Sequence, residues 1–159
     1  MKTIIMLLAA LLALPAAAAA LESDTEISGY LSAWTQDCAG ASCALPVPGE
    51  RNRPVLLRLA LPAAPGEVST VRVSRTLSLG EGLDLPVEIT FYAVCPYGGA
   101  PGTCAGRYFQ AQAVLSGPAG AFCASALNAA DFFPFPVLMC AGTSAGGRRF
   151  GVTLHRQPL

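Results

Sequence analysis

Charge is what this chain has least of. Acidic and basic residues together make up 13% of its 159 residues, against the ~25% of an ordinary soluble domain. Ten basic residues face ten acidic ones. The basic footprint that grips nucleic acid is therefore missing, and so are the like-charge runs of disordered tails. Lysine occurs once, at Lys2, and histidine once, at His155. A single imidazole leaves one ordinary candidate for acid–base work near neutral pH. No C-x-x-C occurs, which removes the usual redox motif and the commonest zinc spacing. No Asn-x-Ser/Thr occurs either: Arg53 and Pro54 follow Asn52, and two alanines follow Asn128. Nothing therefore signals N-glycosylation.

Long apolar runs are confined to the N-terminus. Lys2 precedes an unbroken apolar stretch at 4–14, Pro15 follows, and alanines fill 16–20. A positive start, an apolar centre and small residues at the end are the parts of a secretory signal peptide. Residues 1–20 are expected to be one, cleaved after Ala18 or Ala20. An uncleaved anchor is the alternative, because the stretch with its alanines approaches the ~20 residues that span a bilayer. The first cysteine is Cys38, too distant for a lipoprotein anchor. No later stretch is long and apolar enough to cross a membrane.

Residues 21–159 then form one domain, since two ordinary domains need a longer chain. This part has nine arginines, no lysine and one more acid than bases. Its bias toward Arg, Ala, Gly and Pro suits a GC-rich bacterial genome. The expected location is periplasmic or secreted.

All six cysteines, Cys38, Cys43, Cys95, Cys104, Cys123 and Cys140, lie in that part. An even count in an exported chain reads as disulfides. Six cysteines allow 15 connectivities. Sequential pairing is favoured, because Cys38 and Cys43, and Cys95 and Cys104, are close in sequence and bracket turn-rich segments. Cys123 with Cys140 is what remains. The spacing is poor for zinc, and no metal or cofactor is expected.

Apolar residues recur with period two over 25–34, 53–61, 67–79, 86–95, 107–115 and 148–155. Such alternation marks half-buried strands. A seventh candidate, 132–140, carries Pro134 and Pro136 at one parity, which only an edge strand tolerates. Clusters of Gly and Pro separate these segments. The stretch 121–131 reads weakly as a helix. Seven short strands predict an all-β fold, an antiparallel two-sheet β-sandwich, with a small closed β-barrel as the alternative.

Chemistry is sparse. Gly142-Thr143-Ser144-Ala145-Gly146 matches G-x-S-x-G. That motif needs a strand-to-helix turn and an acid before a later histidine. Here it lies between two strand patterns, and no acid follows Ser144, so a hairpin loop is the better reading. No catalytic residue is assigned. His155 falls on the polar face of the last strand, where a surface position is expected. Glu81 and Asp84 flank a glycine-rich turn but are too few for calcium. The better candidate is the segment from Cys95 to Cys104. Closed by a disulfide, it presents Tyr97 between Pro96 and Pro101, and stapled aromatic loops suit recognition. Trp34, Tyr30, Phe132, Phe133 and Phe135 are candidates for a carbohydrate or peptide surface, though aromatics in a small sandwich more often fill the core.

The expected function is a non-enzymatic binding module, monomeric, acting through loops at one end of the sandwich. Its partner would be a protein, such as a hydrolase, or an envelope glycan. A structural subunit of a surface assembly and a small secreted hydrolase are the alternatives.

Overall fold

A computed structural model describes residues 24–97, 104, 106–117, 120–125, 128–129, 137–157 and 159. The expected signal peptide, Pro101, the phenylalanines at 132, 133 and 135, and the prolines at 134 and 136 lie outside the described residues. Eleven strands appear among those described. They are β1 (Asp24–Ala39), β2 (Ser42–Cys43), β3 (Val47–Pro48), β4 (Arg53–Ala60), β5 (Val68–Gly80), β6 (Leu83–Val94), β7 (Tyr108–Leu115), β8 (Ala121–Ala124), β9 (Asn128–Ala129), β10 (Leu138–Thr143) and β11 (Arg148–His155).

They form two antiparallel sheets. The first runs β10-β11-β1, and the far side of the long β1 is paired in turn by β4, β3 and β2. The second is a meander, β5-β6-β7-β8, with β9 also on β7. The fold is therefore a two-sheet sandwich, and the sheets do not close into a barrel.

All six alternating segments are strands, and their apolar parity faces inward. Ile27, Leu31, Val55, Leu59, Leu77, Val87, Ile89, Phe91, Phe109, Leu115, Val152 and Leu154 are buried in one cluster between the sheets. Burying a side chain of this size stabilises the fold by about 1.5–3 kcal/mol each. Alanines 111 and 113 on β7 are also buried and let Phe91 and Phe109 fit without overfilling the layer. Of the seventh candidate, Leu138 to Cys140 belong to β10, which continues to Thr143 and lies at the edge of the first sheet.

The weak helical reading of 121–131 is corrected. Residues 121–124 form β8, with Val114 opposite Phe122 and Ala113 opposite Cys123. Alanine favours helix intrinsically, but open β7 backbone and a covalent tether outweigh a few tenths of a kcal/mol per residue.

The disulfides are Cys38–Cys43, Cys95–Cys104 and Cys123–Cys140. Each has a different mechanical role. Cys38–Cys43 closes the β1–β2 hairpin, and Cys95–Cys104 closes the β6–β7 connection. Cys123–Cys140 joins β8, at the edge of the second sheet, to β10, at the edge of the first. The opposite margin is tied by hydrogen bonds. The Glu50 N–H donates to the Ser78 carbonyl at 2.6 Å, and the Ser78 N–H donates to Glu50 Oε2 at 3.1 Å.

Candidate ligand-binding face

The outer face of the first sheet gathers the polar and aromatic residues that the core rejects. Outward positions of β1 are Tyr30, Ser32, Trp34 and Gln36. In register across β11 stand His155, Thr153, Gly151 and Arg149. On the far side of Trp34 is Pro48 of β3.

Gly151 explains where the indole goes. A Cβ at 151 would overlap Cζ2 and Cε2 of Trp34. The missing side chain is the slot into which the ring settles, as expected where a strand glycine marks a close approach. Arg149 Cζ stands 5.9 Å from the indole centroid, within cation–π range. The Arg149 guanidinium also donates to Gln36 Oε1 at 3.3 Å. Gln36 in turn donates to the Ala44 carbonyl at 2.8 Å. The result is an aromatic floor beside a guanidinium held by its neighbours.

A groove of about 350 Å³ opens over this floor, lined by Trp34, Gln36, Pro46, Pro48, Arg51, Met139 and Arg149. Its walls are mostly apolar, and Met139 is exposed. Its charged members among the described residues are both arginines. Arg53, Arg72 and Arg148 each have a carboxylate partner, in Glu50, Glu88 and Asp37. Neither groove arginine has one among the described residues.

Beside the groove, His155 corrects an expectation. It is buried, 7% exposed. The Tyr30 ring stacks on it with centroids 6.0 Å apart, and the C-terminal segment folds over this region. Asn52 Oδ1 accepts the Leu159 N–H at 2.9 Å, and the Asn52 amide donates to the Leu159 carbonyl. In the neutral imidazole, Nδ1–H donates to the Gln157 carbonyl. That leaves Nε2 to accept the Ser32 hydroxyl at 2.9 Å. Ser32 Oγ also accepts the Asn52 N–H at 3.0 Å. A serine hydroxyl aimed at an oriented imidazole resembles a nucleophile and its base. Here Ser32 is only 6% exposed and its oxygen also accepts from Asn52, so the pair ties β1 and β11 to the segment around Asn52.

Ser144 lies elsewhere, in the β10–β11 hairpin, with Oγ donating to the Arg148 carbonyl at 3.1 Å. The oxygen is committed to the turn. Glu81 occupies the β5–β6 turn with φ of 52°, between Gly80 and Gly82, which also have positive φ. No three metal-ligating side chains gather among the described residues.

Tyr97 is 87% exposed. Its ring nevertheless covers Gly66, where a Cβ would meet it at 2.5 Å. The Gly66 N–H donates to the Cys95 carbonyl, and the Cys95 N–H donates to the Glu67 carbonyl. The segments 62–67 and 95–97 therefore form one end of the sandwich. Pro96 is half-buried beside Tyr97. The Trp34 groove lies toward the other end, near the Cys38–Cys43 hairpin, so the two are separate features.

Of the aromatic candidates, Trp34 lines the groove and Tyr30 covers His155. Arg51, Arg149, Met139, Pro46 and Pro48 were not singled out from sequence. The available signal was Gly151 at an outward parity of a strand. Its meaning depends on a β1–β11 register that the sequence does not display. No family model, curated protein or solved structure matches the chain.

Proposed function

We propose that this is an exported, non-enzymatic binding module, working in the periplasm or outside the cell, with the Trp34 face of the first sheet as its ligand surface. The observation that carries the reading is the indole seated on Gly151 and flanked by an arginine that neighbouring groups hold in place. Rigid aromatic and arginine side chains dominate binding energy where they are already ordered, because little freedom is lost on association. Three disulfides suit an oxidising compartment. Ser144, Ser32 and His155 are occupied by structural hydrogen bonds, which supports binding over catalysis. Envelope recognition and hydrolase inhibition both fit such a module.

A second contact point is favoured by the exposure of Tyr97 on its disulfide-closed segment. The two are separated by capture of cell-envelope fractions on immobilised mature protein. Trp34→Ala should reduce capture at least tenfold, the loss of a hot spot worth about 2 kcal/mol. Gly151→Ala, which pushes the indole out of its slot, should do the same while Trp34 remains. Tyr97→Ala should leave capture unchanged. Loss in Tyr97→Ala alone would transfer the function to the loop end.

A further inference from the structure

We infer that the Trp34 groove takes a carboxylated sugar, a uronic-acid unit of an acidic polysaccharide. This rests on the Trp34 face being the binding surface and adds the chemical class of what it binds.

Charge selects an anion. In a chain whose acids and bases balance, the groove holds Arg51 and Arg149 and no carboxylate among its described lining residues. Guanidinium groups present paired N–H donors that match a carboxylate. The contact with Gln36 fixes Arg149 before any ligand arrives, which lowers the entropy cost of binding.

Shape and polarity select a sugar. The volume of about 350 Å³ lies at the small end of ligand sites, which span about 300–1,000 Å³. One face of a pyranose ring is lined by C–H bonds with partial positive charge, and the face of an indole is negative. Pro46 and Pro48 supply a stiff wall without N–H donors. A strand-like acidic peptide fits less well. Peptides that dock on sheets gain affinity from main-chain hydrogen bonds to an open edge. At Trp34, β1 is paired on both sides, by Gly151 and by Pro48, so β1 offers no open edge there.

Trp34 is the only tryptophan, so indole fluorescence, excited beyond the range where tyrosine absorbs, reports on this groove. The mature protein is titrated with oligogalacturonate, with the same oligomer after reduction of its carboxyls, and with poly-glutamate. The expected result is a saturable fluorescence change with oligogalacturonate, at least tenfold weaker with the reduced oligomer and absent with poly-glutamate. Arg149→Gln and Arg51→Gln should each weaken the acidic oligomer at least fivefold and narrow its advantage over the reduced one. Arg149→Lys, which keeps charge but loses the fork, should fall between. Equal response to charged and reduced oligomers overturns the acidic class while leaving the binding face in place. A response to poly-glutamate overturns the sugar. Trp34-dependent capture of envelope material with no response to any oligomer overturns this inference alone. Absence of both overturns the proposed binding face as well.

Discussion

At the scale of single residues, glutamate 67 shows how a side chain in water can organise backbone. Its Oε2 accepts the N–H groups of Ala64 and Ala63 at 2.9 and 2.8 Å. Those bonds, Ala64 first, hold the carboxyl below its ordinary range, because they favour the charged form. A carboxylate depressed in the folded state contributes stability above its unfolded pKa. It loses that contribution as pH falls through the folded value. The 62–67 segment should therefore stay protected at neutral pH and loosen under acid, below the usual carboxylate range. Amide exchange at Ala63 and Ala64 reads this directly. Glu67→Gln should lose protection at neutral pH and flatten the acid dependence. Unchanged exchange in that variant would assign the protection to the Gly66–Cys95–Glu67 backbone bonds instead.

At the scale of elements, the sandwich guards its edges. β8 has four residues and is tethered through Cys123. β4 carries Pro54, which offers no N–H. Arg75 on β5 stands at the parity of Val73 and Leu77 yet is exposed, an inward-parity charge that discourages pairing with a foreign strand. The disulfides are unequal in the same sense. Cys123–Cys140 joins the sheets across a separation of 17 residues, while Cys38–Cys43 spans 5. Loop-closure entropy favours the longer link, about 3 against about 2 kcal/mol. Cys123→Ala with Cys140→Ala should therefore lower the urea midpoint more than Cys38→Ala with Cys43→Ala. The reverse order would mean that the sheets hold together without the staple.

At the scale of the whole molecule, short or guarded edges argue for a protein that works alone. Sedimentation velocity of the mature chain is expected to give a monomer across a wide concentration range. Concentration-dependent polymers would favour a structural subunit of a surface assembly, built by strand addition. The monomer expectation also bears on the binding face. Trp34, Met139 and Arg51 must be open to a ligand, and a self-associated first sheet would cover them.

How much of this was written in the chain differs between fold and site. Period-two alternation determined strand identity and inward parity from Ile27 to Leu154, because side-chain direction in a strand is local geometry. Even cysteine count and short spacings pointed to the staples. The sequence could not settle residues 121–124, where alanine propensity competes with a partner strand distant in the chain. It also placed His155 at the surface, since its cover comes from Tyr30, Ser32 and the C-terminal segment. The groove was the least legible part. Trp34, Pro48, Arg51, Met139 and Arg149 come from four separate stretches, and they meet only once β1 is paired with β3 and β11 in register. Strand character follows from neighbours along the chain, whereas a site on a sheet face follows from which strands lie side by side. That choice is made by burial of the whole core and by the bonds that close the margins.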